Sequence, residues 1–263
     1  MKIYIFTDIE GVGGVHLYKA QTRPDGKYYD EACQLLTKEI NAAVEGAFLG
    51  GASEVLVCDS HYYGANIDLE LLDERARLAR GPKKKGSWGC GIDKSYAGVV
   101  FIGAHAMAGT EDAVLDHTMS SIEWQNLWLN GELLGEIGLG AYFYGEFGVP
   151  MIFVSGDDKA CKEAKKLIKG VYTVETKIGV GREAAIFHPL KKVRENITEG
   201  VRKAVENAGK FKPLKPKYPV TFKLEYKSTF VVDGIHPVPG RRITGPRTVE
   251  YKPKSVRDFL NYL

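Results

Sequence analysis

The chain is expected to be an α/β protein with a mostly parallel central sheet flanked by helices and a smaller C-terminal α+β part. Short apolar runs recur along its first two thirds, and helical stretches separate them. Past about residue 170 the pattern shifts to a charged amphipathic helix, a Lys- and Pro-rich stretch and alternating strands. The expected division is 1–170, an α/β domain carrying the chemistry, and 171–263, a C-terminal α+β domain.

Lys2–Thr7, Glu54–Cys58, Val99–Gly103 and Met151–Ser155 are short runs of strand formers, as buried parallel strands require. Tyr29–Leu49 places Ala32, Leu36, Ile40, Ala43 and Ala47 at helical spacing and stops at Gly50-Gly51. Trp124–Leu129 alternates, Asn130-Gly131 supplies a favoured two-residue turn, and Glu132–Leu134 returns as the second strand of a hairpin. Gly138–Phe147 and Lys159–Lys169 are expected helices. Asp157-Asp158 precedes the second, and Asp158 is the acid expected to cap it. Lys191–Ala208 reads as an amphipathic helix and Lys210–Pro219 as an extended linker. Val220–Val232 alternates as one long strand, Thr248–Tyr251 is a shorter one, and Ser255 is placed to cap a terminal helix over Ser255–Leu263.

Composition removes several classes of function. With 263 residues, 44% hydrophobic and 26% charged, the chain can bury an ordinary globular core. A formal charge of +3 gives no case for nucleic acid as a partner. Cys33, Cys58, Cys90 and Cys161 form no CxxC pair, so a thiolate zinc site is not expected, and Cys33 and Cys58 sit in apolar runs as core thiols. No apolar run is long enough to span a bilayer, and the start of the chain lacks the pattern of a signal peptide. A cytoplasmic protein without a membrane partner is expected.

The chemistry gathers where strands stop. The first ends in Asp8 and Glu10, the second in Asp59-Ser60-His61, the third in His105 and the fourth in Asp157-Asp158, while Glu136 follows the hairpin. An open parallel sheet binds ligands at these carboxyl ends. Each residue also has an ordinary structural role open to it: aspartates favour turns and caps, and single histidines are more often structural than ligands. Convergence of four strand ends on one edge argues for a metal or acid–base site instead. Mixed imidazole and carboxylate donors suit zinc, with manganese or iron as alternatives. Two histidines and three carboxylates exceed one tetrahedral zinc and suit two metals roughly 3.5–4 Å apart. Gly11-Val12-Gly13-Gly14 lacks the spacing of a dinucleotide loop, and the two acids before it would repel a pyrophosphate.

Thr7-Asp8-Ile9-Glu10-Gly11, Asp59-Ser60-His61, Gly103-Ala104-His105, Asp116-His117-Thr118 and Gly135-Glu136-Ile137-Gly138 resemble, in order, the motifs of the zinc-dependent D-aminopeptidases of the DppA type, peptidase family M55. The resemblance spans residues 1 to about 170 and is loose beyond. It implies a dinuclear zinc aminopeptidase that removes N-terminal, D-configured residues from short peptides or amino-acid amides by a metal-bridging hydroxide. It further implies two Zn2+ per chain: Asp8 bridging, Glu10 and His61 on one ion, His105 and Glu136 on the other. His117 matches a catalytic histidine that binds no metal. Glu132 is the rival to Glu136. A homo-oligomer, with a decamer as the family's size, is implied as well. Gly81–Trp88, with Lys83, Lys84 and Lys85, departs from the family's enzymes and could border the cleft, although a solvated lysine run is the simpler reading.

Two other functions fit part of the pattern. A strand ending in Asp-x-acid-Gly also begins magnesium-dependent haloacid-dehalogenase-like phosphatases, where a second aspartate replaces Glu10; His61 and His105 suit zinc better than magnesium. A non-catalytic metal- or peptide-binding protein would be expected to lack a ligand, and none is missing.

Overall fold

The computed structural model describes residues 1–81, 88–236 and 238–260. Lys83, Lys84 and Lys85, and the last three residues of the expected terminal helix, lie outside the described residues.

The main sheet is built from β1 (Lys2–Thr7), β2 (Glu54–Asp59), β3 (Ala76–Ala79) and β4 (Tyr96–Ala104). The hairpin strands β5 (Trp124–Leu129) and β6 (Glu132–Leu134) leave it for a second sheet, and β7 (Met151–Asp157), β8 (Tyr172–Gly181) and β9 (Ala184–Phe187) return to it. The second sheet is completed by β10 (Phe222–Tyr226), β11 (Arg241–Gly245) and β12 (Thr248–Tyr251). Helices α1 (Tyr18–Gln21), α2 (Tyr29–Leu49), α3 (Glu136–Gly145), α4 (Asp158–Leu167), α5 (Leu190–Glu206), α6 (Thr229–Asp233) and α7 (Val256–Phe259) connect and cover them.

The main sheet runs β3-β2-β1-β4-β7-β8-β9, parallel except for β9, and the second runs β11-β12-β10-β5-β6, antiparallel throughout. The chain winds from β1 to β3 on one side and then crosses to β4 on the other, so its topological switch point lies between β1 and β4. Thr7 is in register with Asp59 on β2 and Ile102 on β4. Residues just past these strand ends therefore share one level at one edge. Both sheets draw strands from either side of residue 170.

Side-chain alternation gives the central strands two buried faces. Ile3, Ile5, Val57, Val100 and Ile102 pack with Leu36 and Ile40 of α2 and Ile197 and Val201 of α5. Tyr4, Phe6 and Phe101 point the other way, into Tyr144 of α3 and the inner face of the second sheet. Full burial of each such apolar side chain contributes about 1.5–3 kcal/mol.

Several boundaries differ from the sequence-based expectation. Asp157, not Asp158, caps α4: its side chain accepts from Ala160 N at 2.8 Å, while Asp158 accepts from Gly179 N on β8. The alternation from Val220 stops at Tyr226. There Ser228 turns the chain and its hydroxyl accepts from Phe230 N, so α6 replaces the second half of the expected strand. Helix α3 begins two residues early, at Glu136, because Gly135 is extended and serves as its N-cap. The Asn130-Gly131 turn is as expected, both residues having positive φ (49° and 87°), the hairpin twist of a two-residue loop.

Beside the switch point two backbone segments nearly touch. Gly103 has φ +78°, and a Cβ there would lie 2.1 Å from Asp8 O. Gly11 faces it, donating to Gly103 O at 2.8 Å. Gly103→Ala is therefore expected to cost about 2 kcal/mol or more. Urea unfolding should show it as a lower midpoint at an unchanged slope. A midpoint equal to that of the parent chain would mean the two strand ends can separate freely.

Candidate metal centre

The edge beyond β1, β2 and β4 gathers all six side chains singled out from the sequence. Asp8, Glu10, His105, His117 and Glu136 are buried, and His61 is nearly so. Asp8 and Glu10 come from the turn after β1, His61 from the loop after β2 and His105 from the end of β4. Glu136 opens α3, where the helix dipole favours a carboxylate. Glu132 is elsewhere, accepting a hydrogen bond from Tyr142 Oη at 2.6 Å. Asp59 is spent on structure, accepting from the Asn66 backbone and side-chain amides at 2.7 and 2.6 Å.

The three histidines share one construction. His61 Nε2 donates to Thr22 O (2.7 Å), His105 Nδ1 to Ala106 O (3.0 Å) and His117 Nδ1 to Leu115 O (2.8 Å). A carbonyl only accepts, so each ring's proton is held on that nitrogen and the other nitrogen presents its lone pair. Those free nitrogens face carboxylates. His61 Nδ1 lies 2.9 Å from Asp8 Oδ1 and 3.2 Å from Glu10 Oε2. His105 Nε2 lies 3.3 Å from Asp8 Oδ2 and 3.2 Å from Glu136 Oε1. His117 Nε2 is 3.8 Å from Glu136 Oε1, and its ring stacks on His105 at 3.9 Å.

Lone pairs aimed at carboxylate oxygens repel unless a proton or a cation stands between them. Glu10 Oε2 and His105 Nε2 are buried with no hydrogen-bond partner among the described residues. Donor atoms of Asp8, Glu10 and His105 lie within 4.8 Å of one another, as do those of His105, His117 and Glu136. The donor set and the orphaned atoms fit a metal site. The two oxygens of Asp8 divide between His61 and His105, which gives that carboxylate two sides to serve.

In the metal-free chain, protons do the balancing. Burial disfavours the imidazolium of His61 and His105, but Glu10 and Asp8 around the first, and Glu136 and Asp8 around the second, outweigh it and hold both pKa values well above 6.5. Burial likewise opposes ionisation of Asp8 and Glu136, yet the two imidazoles beside Asp8, and chiefly His105 beside Glu136, pull both below the usual carboxylate range. His117 differs: burial and the neighbouring His105 charge lower its pKa, so its ring is neutral.

The sequence profile of the D-aminopeptidase family, peptidase family M55, matches residues 1–263. The chain belongs to this family. The D-aminopeptidase of Bacillus subtilis (strain 168) is 33% identical over 264 residues, covering 97% of this chain and 93% of that one. Among solved structures, the Zn-dependent D-aminopeptidase DppA from Bacillus subtilis, a self-compartmentalizing protease, aligns with a TM-score of 0.91 at 33% identity over 98% of this chain and 93% of that one. The chain is thus a peptidase rather than a magnesium phosphatase, and the likeness extends well past residue 170.

Side chains that the sequence reading missed hold this peptidase's site in place. Lys177, fully buried on β8, donates to Glu10 O, Val12 O and Val15 O at 2.5–2.9 Å. Burial lowers its pKa to about 8. Beyond it, Arg182 at the β8–β9 turn grips the side chain and carbonyl of Asp116, next to His117, and Glu183 accepts from Tyr18 N at 2.9 Å. Lys177 does not stand out in the sequence, because β8 also carries Thr173, Glu175 and Thr176.

The pH dependence of the metal-free peptidase follows from these shifts. Raised histidine pKa values add stability that is complete below pH 6.5 and lost as pH rises through the folded values. Depressed carboxylates add stability that is present above their ordinary values of 3.8 and 4.5 and lost as pH falls through the folded ones. Thermal midpoints after chelation should therefore peak between about pH 4.5 and 6.5 and decline above. Zinc should reverse the upper limb, because ligation requires neutral imidazoles and releases their protons. A chelated protein whose midpoint kept rising from pH 6.5 to 9 would contradict the assigned histidine contacts.

Proposed function

We propose that this chain is a dinuclear zinc aminopeptidase that removes N-terminal D-residues from short peptides or amino-acid amides. The reading rests chiefly on the three histidines, each pinned by a backbone carbonyl with its free nitrogen toward buried carboxylates. Donor number favours two ions: Asp8, Glu10, His61, His105 and Glu136 together exceed the about four ligands of one tetrahedral zinc, and the two oxygens of Asp8 face different histidines. Asp8 would be shared between the ions, Glu10 and His61 would complete one site, and His105 and Glu136 the other.

Zinc bound there would supply Lewis acidity toward the scissile carbonyl and a nucleophile from water at neutral pH. The chain's own residues do the rest. His117 Nδ1–H stays on Leu115 O, which leaves Nε2 to accept a proton and deliver it to the leaving amine. Its lowered pKa keeps that nitrogen free at rest. Asp116, held by Arg182, keeps the His117 loop in position. A cavity of about 250 Å³ over the site, smaller than the roughly 300–1,000 Å³ of sites for drug-sized ligands, suits short substrates.

The self-compartmentalizing relative supports a homo-oligomer here, with a decamer as the expected size. No helix among the described residues is long and apolar enough to cross a membrane. Free thiols at Cys33, Cys90 and Cys161 suit the reducing cytoplasm, where we place the enzyme.

Metal analysis of the purified chain should find about two zinc ions per polypeptide. Asp8→Ala should empty both sites and Glu10→Gln should weaken one. His117→Ala should keep its zinc while kcat falls by roughly 10²–10⁴. Loss of zinc from that variant would make His117 a ligand, and normal turnover would remove it from the mechanism. Paired D-Ala and L-Ala amides and dipeptides should be split in favour of the D-forms, and equal kcat/KM would overturn the stereochemical assignment.

A further inference from the structure

The cavity over the site has one permanent positive charge among the described residues that line it, Arg23. Its backbone is fixed from both sides. Thr22, the preceding residue, donates through its N–H and its hydroxyl to Tyr18 O and accepts from His61 Nε2 through its carbonyl. Arg23 O in turn accepts from Gly26 N at 2.8 Å, where a Cβ on Gly26 would run into Ala20 O. The guanidinium lies over the ring of Tyr62, 5.8 Å from its centroid. Thr22 and His61 are thus hydrogen-bonded, and Arg23 and Tyr62, the next residue of each, meet beside them along the cavity wall.

Structure alone gives this arginine little to do. Its ion pair is with Asp25, through Nε at 3.5 Å, and the Asp25 side chain is 83% exposed. Such a pair contributes little to stability. The loop is held by Thr22 and Gly26 instead. The two terminal nitrogens of the guanidinium offer a planar fork suited to bidentate binding of a carboxylate.

We propose that Arg23 binds the C-terminal carboxylate of the substrate, which makes short peptides with a free C-terminus preferred over the corresponding amides. This rests on the aminopeptidase reading of the same site. One extended residue spans about 3.3–3.6 Å, so a dipeptide with its scissile carbonyl at the site ends one residue farther out, toward the rim. Arg23 lines the same cavity as Asp8, His61 and Glu136 and directly follows Thr22, whose carbonyl His61 contacts. The preferred substrate class is therefore the dipeptide bearing a free carboxylate.

The test compares D-Ala-Gly with D-Ala-glycinamide on the zinc-loaded enzyme, two substrates with the same scissile bond. The free acid should have kcat/KM about tenfold or more above the amide. Arg23→Gln should bring the ratio near one, Arg23→Glu should invert it, and Arg23→Lys should retain part of the preference. A parent enzyme with no preference for the acid, or a ratio unmoved in Arg23→Glu, overturns the proposal. Calorimetric binding of the same pair with the scissile amide reduced to CH2–NH gives a second measure that needs no turnover. If neither D-Ala-Gly nor D-Ala-glycinamide is cleaved, the aminopeptidase reading fails. In that case carboxylate-dependent binding lost in Arg23→Glu still supports the role of Arg23, and indifference to the carboxylate removes it.

Discussion

Three buried carboxylates must share one pocket, and the rest of the site is arranged so that they can. Asp8, Glu10 and Glu136 are almost wholly removed from water, where unpaired negative charges are costly. Each is answered by an imidazole, and each imidazole is oriented by a backbone carbonyl on its far side. Such second partners set which nitrogen is free and where it points. Protons or divalent cations can occupy the space between, and exchanging one for the other links metal binding to pH and to stability. The same compensation explains the position of Asp8. Only a residue at the level of both strand ends can present one oxygen to His61 and the other to His105.

Holding these groups in place falls to a part of the chain far from them in sequence. The β8–β9 hairpin reaches three loops: Lys177 binds the turn after β1, Arg182 the loop carrying His117, and Glu183 the start of α1. Burying an ammonium is costly, and three short charge-assisted bonds to carbonyls offset much of that cost. Glu39 of α2 adds a fourth tie, accepting from Gly13 N at 2.8 Å in the same turn. The second sheet has a different task. It covers the Tyr4–Phe6 face of the main sheet, with Phe222 stacked on Phe259 at 3.9 Å, and leaves the strand ends accessible.

Much of the site was legible in the residues. Parallel strands end where ligands bind, so a histidine or acid following each apolar run marks the edge. The boundaries that shifted did so for local reasons. Asp157 caps in place of Asp158 because the helix starts one residue earlier than expected, with Asp157 still extended and Asp158 turned to Gly179 N, and Ser228 stopped an alternation that hydrophobicity alone would have continued. Lys177 and Arg182 went unnoticed because their partners are backbone atoms and a side chain more than sixty residues away, and no local pattern records such contacts.

By itself the sequence determined the parallel strands, the hairpin turn and Asp8, Glu10, His61, His105 and Glu136 at the sheet edge, since periodicity, turn chemistry and residue type are local properties; His117 is marked only by the family motif Asp116-His117-Thr118. The tertiary structure decided which nitrogen of each histidine is free, how the two oxygens of Asp8 divide, and that Arg23 stands over the cavity. Those depend on register between strands and on carbonyls from distant loops. Asp8-Ile9-Glu10 reads in sequence as an acid pair at a strand end; in three dimensions its two acids face different sets of partners, because β2 and β4 flank β1 on opposite sides.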